Sequence, residues 1–240
     1  MKSVYKIPQK IKCLTDERKR KSIPLFNIVM PVLLFLMLQY ESFHTIFSTP
    51  ESMSKRLKNC ISGRIPKVDA VRDLLSRINP DEIRSIHEEM IDIIKRNRVF
   101  REGTIGGYVV AGLDGVELFS STKKSCPNCL SRKKHTGETE YFYRSVVCMI
   151  IGKSPHVILG QEMLKPRDGS GKDEGELTGG KRLIEQLKKR HGHFADVIVA
   201  DALYLNAPFI NTLKENGLEG VIRLKDERRM IFQDAEHLFK

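Results

Sequence analysis

Residues 107–119 read GYVVAGLDGVELF, an apolar and β-prone run in which a carboxylate, Asp114, comes directly before a glycine. Residues 196–204, DVIVADALY, repeat the arrangement and place Asp201 at the end of another Val/Ile run. Continuous runs of this kind are typical of strands that are covered on both faces. A carboxylate is costly inside such a strand, but at the strand's end it can bind a hard cation such as Mg²⁺. The sequence therefore predicts an acidic site where two central strands end.

Length and composition limit the class of protein. The chain has 240 residues, of which 40% are hydrophobic, enough for one substantial core and a small second module. Its formal net charge of +11 favours a polyanionic partner, because attraction to such a charge acts at long range. Five cysteines at irregular spacing argue against a secreted disulfide framework and favour a reducing, cytoplasmic setting.

The N-terminal part of the chain reads as basic and helical. Residues 1–22 carry eight basic and two acidic side chains, which predicts an arm that is disordered until it meets phosphate. The apolar run at residues 23–38 is shorter than the ~20 residues that a bilayer requires. We therefore expect a core helix from about Pro31 to Thr45, with a membrane anchor as the alternative. Residues 23–100 are predicted to form a helical module, which either serves packing alone or also binds DNA.

From Tyr108 onwards the pattern changes to short apolar runs separated by turn residues. Three runs with short connections predict an antiparallel meander, and the later alternation of helix and strand predicts parallel additions. The expected order is β-β-β-α-β-α-β, a mixed α/β sheet that follows the helical module. The predicted strands are Tyr108–Ser120, Glu140–Ile151, Pro155–Met163, Asp196–Ala200 and Gly220–Leu224, and the predicted helices are Leu177–Arg190 and Pro208–Glu215.

This order, with Asp114 on the first strand and Asp201 just after the fourth, resembles the RNase H-like core. More specifically, residues 113–121 (LDGVELFSS) and 200–204 (ADALY) resemble the two Asp motifs of DDE transposases from bacterial insertion sequences. The resemblance extends from about Ile23 to Lys240. It implies that Asp114 and Asp201, with a later glutamate, hold Mg²⁺ (or Mn²⁺) ions. These ions activate a water or a 3′-hydroxyl for attack on a DNA phosphodiester.

The third acid of that family lies on a helix well downstream of the second aspartate, whereas only 39 residues follow Asp201 here. Glu236 is the one substitute on that segment, and it comes early for the role. The resemblance therefore predicts an RNase H-like domain over residues 105–240 that is truncated at its C-terminus. Two functions stay open: a transposase fragment, or a catalytically incomplete DNA-binding relic or inhibitor of a full-length transposase. Acids at the start of the Leu177 helix are interpreted as capping residues because they suit its dipole: Asp173, Glu174 and Glu176.

The expected partner is double-stranded DNA, both element ends and target, and the expected location is the cytoplasm, at the nucleoid rather than at a membrane. A homo-oligomer is also compatible with the resemblance. Basic side chains after the last strand are candidate phosphate contacts, with a solvated face as the alternative: Arg223, Lys225, Arg228 and Arg229.

A second constellation lies between the first two strands. Cys126 and Cys129 form a CxxC pair, with His135 six residues on and Cys148 in the next strand. Four soft ligands could form a structural Zn²⁺ site, but the loose spacing favours a ligand-free loop with reduced thiols. A redox role is disfavoured, because no helix N-terminus follows to lower a thiol pKa.

Overall fold

The structure is a computed structural model that describes residues 5–39, 55, 59, 61, 66–102, 104–152, 154–167, 171–225 and 230–238. It divides the chain into two compact units, Met1–Ile93 and Ile94–Lys240. This division lies N-terminal to the predicted boundary at residues 100–105.

The first unit is built from helices around one apolar cluster. Its elements are α1 (Ile7–Lys12), α2 (Phe26–Met37), α3 (Val68–Leu75) and α4 (Pro80–Arg96), the last of which runs across the division between the units. The three N-terminal helices and the loop between the first two bury side chains against one another: Ile7, Ile11, Leu14, Leu25, Ile28, Val32, Val71 and Leu74.

Residues 1–22 were predicted to form a disordered arm, but the structure places helix α1 within them. Ile7, Ile11 and Leu14 recur at the i, i+4, i+7 spacing of a helical face, and all three are buried. Arg18 is buried as well, because its guanidinium pairs with Asp16 at 2.7 Å and donates to a backbone oxygen. The prediction of disorder depended on the charge of this segment. Its buried apolar face explains why α1 is ordered.

Helix α2 also differs from the prediction, since it begins at Phe26 rather than near Pro31 and ends at Met37. Pro31 lies inside the helix and is buried in the core. The predicted end at Thr45 lies outside the described residues. Among the described residues, no helix is long and apolar enough to cross a membrane.

The second unit is mixed α/β and centres on one open sheet of six strands. The strands are β1 (Val110–Ser121), β2 (Leu130–Lys133), β3 (Thr139–Ile150), β4 (Val157–Met163), β5 (Val197–Ala200) and β6 (Glu219–Ile222). The helices are α5 (Val99–Glu102), α6 (Glu176–His191), α7 (Ala207–Glu215) and α8 (Met230–Leu238), with one 3₁₀ turn at Ala202–Tyr204. The mixed α/β class is confirmed, and β2 and α8 are additions to the predicted order.

Strand β3 organises the antiparallel half of the sheet. One edge pairs with β1 from Tyr141 to Ile150, and the other edge pairs first with β2 and then with β4. The parallel half continues from the far edge of β1 through β5 to β6, so the order is β2-β3-β1-β5-β6.

Helix α6 packs closely on this sheet. A Cβ at Gly179 would overlap the Leu164 side chain, and one at Gly180 would lie 2.9 Å from the Tyr204 ring. These two glycines let the backbone of α6 approach the strands, while Leu183, Ile184 and Leu187 fill the interface. The first turn of α6 is thereby fixed against β1 and β3.

An ordered α1 can be tested by truncating its buried face. We expect Ile11→Ala to lower the free energy of unfolding by about 2–4 kcal/mol, because it removes a buried aliphatic side chain. The matched control is Gln9→Ala on the exposed side of the same helix, which should change it by less than about 0.5 kcal/mol. Urea unfolding measures both, and equal small effects would show that α1 does not pack.

Candidate acidic site

Asp114 and Asp201 lie side by side at the parallel junction of the sheet. Strands β1 and β5 pair in parallel with Leu113 opposite Ala200. The residues that follow these two, Asp114 and Asp201, therefore lie on neighbouring segments. Neighbouring strands are about 4.8 Å apart, and both aspartates are exposed. Residues 87 apart in sequence thus meet where β5 ends beside β1.

Each aspartate also has a local backbone contact. Oδ1 of Asp114 accepts a hydrogen bond from the Gly115 amide at 2.8 Å, and Oδ1 of Asp201 accepts one from the Leu203 amide at 3.0 Å. Asp201 therefore caps the 3₁₀ turn, whereas Asp114 lies within β1, opposite Val147 of β3, and not in a hairpin turn. These bonds fix each side chain through one oxygen only.

A third carboxylate, Glu176, approaches the pair from the first position of α6. A Cβ at Gly115 would lie 2.7 Å from Oε1 of Glu176 and still closer to Oε2, so the carboxylate occupies the space that this glycine leaves. Oε1 of Glu176 also forms an ion pair with Nη2 of Arg144 on β3. The side chain of Glu176 is only 10% exposed, whereas that of Arg144 is 35% exposed, so the carboxylate and not the whole pair is withdrawn from water.

The pKa of Glu176 depends on the other two acids. Burial raises the pKa of Glu176; the Arg144 guanidinium opposes this, but the negative charges of Asp114 and Asp201 add to the rise. The same three carboxylates, after burial, raise the pKa of Tyr204. The Tyr204 hydroxyl is fully buried and has no hydrogen-bond partner among the described residues. A buried polar atom without a partner is uncommon in folded proteins, and this one is within electrostatic reach of the three acids.

The interpretation of Glu176 as a simple helix cap is therefore incomplete, although it does open α6. Its two neighbours are structural. Glu174 accepts from Arg182 and from the Lys165 amide, and Asp173 accepts from the Ser131 amide at 2.6 Å. The signal for Glu176 was Gly115 itself, since a glycine inside a strand often marks a close approach by another group.

Arg223 lies beside the acids on the third parallel strand. Ile222 of β6 pairs with Ala200, and the Arg223 amide donates to the Ala200 carbonyl at 3.1 Å. Asp114, Asp201 and Arg223 thus occupy equivalent positions on three neighbouring strands. Both Arg223 and Lys225 are exposed, whereas the predicted contacts Arg228 and Arg229 lie outside the described residues. Glu236, the candidate third acid from the sequence, lies on α8. The third acid that approaches Asp114 and Asp201 is Glu176 instead.

No group of three or more His, Cys, Asp or Glu side chains within the described ranges is arranged to hold a metal ion. At the acidic site Glu176 is turned to Arg144. At the cysteine pair, Cys148 is fully buried within β3, where burial raises the pKa of its thiol to about 12. The four-ligand zinc alternative is therefore not assembled.

Comparison with known proteins adds no identity. No protein-family model matches the chain, and a search of the curated proteins found no match. The case for a function consequently depends on the residues of the site.

The contact between Glu176 and Gly115 predicts a specific non-additivity. Gly115→Ala should lower the free energy of unfolding by about 1–2 kcal/mol, because the new methyl displaces the carboxylate from Arg144. In a Glu176→Ala background the same change should be neutral or stabilising by up to about 1 kcal/mol, since alanine suits a strand better than glycine. A double-mutant cycle by urea unfolding measures both steps, and equal costs in the two backgrounds would contradict the contact.

The raised pKa of Glu176 gives a pH dependence with a defined sign. Above the ordinary glutamate pKa of about 4.3, folded Glu176 holds its proton more tightly than the unfolded chain does. Its contribution to stability therefore falls as pH rises through that window. We expect the free energy of unfolding of Glu176→Gln, relative to the parent, to rise between pH 4 and neutrality.

Glu174 is the matched control for this titration. Burial alone would raise its pKa, but hydrogen bonds from Arg182 and the Lys165 amide outweigh burial and hold the pKa below the ordinary value. Its stabilising contribution is therefore present at neutral pH and is lost as pH falls. The relative stability of Glu174→Gln should change in the opposite direction, and parallel pH profiles for the two variants would contradict the assignment.

Proposed function

We propose that this protein is a DDE-type transposase chain that binds element-end DNA and uses Mg²⁺ or Mn²⁺ for phosphodiester hydrolysis and strand transfer. The observation that carries the proposal is the convergence of Asp114, Asp201 and Glu176, from β1, the end of β5 and the start of α6. In this proposal Glu176 is the third acid of the site.

The sheet supports an RNase H-like assignment. Antiparallel β1, β3 and β4 are followed by α6 and then by parallel β5, α7 and β6. This element order resembles that of the RNase H-like core, with Asp114 on the first strand and Asp201 directly after β5. Short β2 only extends the edge of β3 next to β4.

The donor set suits a hard divalent cation. Carboxylate oxygens are the preferred ligands of Mg²⁺, and three acids on separate elements supply more than one oxygen each. When bound, the metal supplies Lewis-acid chemistry, activating the attacking oxygen and stabilising the leaving one. Asp114 on β1, Asp201 at the end of β5 and Glu176 at the start of α6 would hold the ion, and Glu176 would then no longer pair with Arg144.

Arg144 and Arg223 have complementary tasks in this proposal. Arg144 forms an ion pair with Glu176, and its guanidinium would contact a phosphate oxygen of the DNA if Glu176 held the metal instead. Arg223, beside Asp201, presents a second cation to the DNA backbone. The net charge of +11 supports a polyanionic substrate, with an affinity that falls steeply as salt rises.

Metal binding can be measured separately from catalysis. We expect Asp114→Asn, Asp201→Asn and Glu176→Gln each to weaken Mn²⁺ binding about tenfold or more, followed by electron paramagnetic resonance. Each should also abolish Mg²⁺-dependent nicking of supercoiled DNA. The matched control is Glu185→Gln, an exposed acid elsewhere on α6, which should leave both unchanged.

The alternative is a DNA-binding chain with an incomplete site. It is favoured by the absence of a preassembled three-ligand group among the described residues. Under this alternative, DNA binding is salt-dependent but Glu176→Gln does not alter Mn²⁺ affinity, and no variant changes the rate of nicking. Metal binding that depends equally on all three acids would exclude it.

A further inference from the structure

Cys126 and Cys129 are held together by a turn that has no role in the acidic site. The Cys129 amide donates to the Cys126 carbonyl at 3.1 Å, which closes a four-residue turn with Pro127 at its second position. Such a turn keeps its first and last Cα atoms within about 7 Å, close to the separation that a disulfide spans. The two Sγ atoms lie 3.1 Å apart.

The hydroxyl of Tyr143 on β3 contacts this pair. Its Oη lies 2.6 Å from Sγ of Cys126. The pKa of Cys126 is lowered by this hydrogen bond first, and then by the Cys129 thiol and the amides of Asn128 and Cys129. The pKa of Tyr143 is raised in turn. These groups stabilise a thiolate without a helix N-terminus, which was the feature whose absence disfavoured a redox role.

The other described cysteines provide a contrast. Cys148 is fully buried, and burial raises the pKa of its thiol to about 12. Cys13 is exposed, and it belongs to the helical unit rather than to a CxxC pair. Cys126 and Cys129 are both partly exposed, so a small reagent can reach them.

We propose that Cys126 and Cys129 form a reversible dithiol–disulfide site whose substrate is a low-molecular-weight disulfide such as glutathione disulfide. Cys126 is the attacking thiol, because Tyr143 stabilises its thiolate, and Cys129 is the resolving thiol.

The exchange balances in two steps. The Cys126 thiolate attacks one sulfur of glutathione disulfide, forms a mixed disulfide and releases one glutathione thiolate. Cys129 then loses its proton to solvent and attacks the Cys126 sulfur, forming the Cys126–Cys129 bond and releasing the second glutathione. The protein loses two electrons and two protons, and the glutathione disulfide gains them.

The experiment uses the full chain, reduced and then incubated with glutathione disulfide and glutathione at fixed ratios, quenched with N-ethylmaleimide and mapped by mass spectrometry. The parent should form the Cys126–Cys129 disulfide, while Cys148 remains a thiol. Cys129→Ser should accumulate glutathione on Cys126, whereas Cys126→Ser should react several-fold more slowly at Cys129.

Tyr143→Phe tests the role of the hydroxyl. It should slow modification of Cys126 at neutral pH by roughly three- to tenfold, since one pKa unit changes the thiolate fraction about tenfold. The rate should recover at higher pH. The matched control, Tyr141→Phe on the same strand, should react like the parent.

Three results would overturn the proposal: no glutathione adduct on Cys126 in Cys129→Ser, identical rates in the two tyrosine variants, or one equivalent of Zn²⁺ held by the pair that blocks oxidation. Because none of these measurements involves the acidic site, their failure leaves the transposase proposal untouched.

Discussion

The ion pair between Arg144 and Glu176 is the interaction on which the acidic site depends. Three carboxylates at one place repel one another, and Glu176 is nearly withdrawn from water, so its negative charge needs a partner. Arg144 supplies that partner from β3, the strand next to Asp114. Without this cation, protonation of Glu176 or its rotation towards solvent would cost less free energy than a buried, unpaired carboxylate.

The glycines explain how Glu176 reaches the sheet at all. Gly179 and Gly180 allow the α6 backbone to lie close to β3 and to Tyr204, and Gly115 leaves the space that the Glu176 carboxylate fills. A side chain at any of the three would push the helix or its first residue away from the strands. Packing and electrostatics therefore act together, because the close approach that buries Glu176 also brings it to Arg144.

Much of this architecture follows from local sequence. The five predicted strands of the second unit begin and end within about two residues of their predicted bounds, because continuous Val/Ile runs admit few alternatives, whereas short β2 was not predicted. Asp114 lies within a predicted strand and Asp201 at the end of another, and the parallel pairing of these strands brings the two acids together. The place of Glu176 in the site does not follow from local sequence, because an acid at a helix start has a sufficient local explanation and its partner Arg144 is 32 residues away. Helix α1 was not predicted, because the prediction for residues 1–22 depended on their charge and not on the spacing of three apolar residues.

The charges of the acidic site indicate which kind of ligand it should bind. Asp114, Asp201 and Glu176 face one guanidinium, and Arg223 stands at the rim beside Asp201. An excess of negative charge on neighbouring carboxylates is stabilised best by a small divalent cation, which binds several carboxylate oxygens at once. Such a cation would release Arg144 from its pairing, so that metal and arginine together form a positive surface. Under the proposed function, an acidic cluster with such a cation bound would accept a phosphate group, which would reconcile three carboxylates with the net charge of +11.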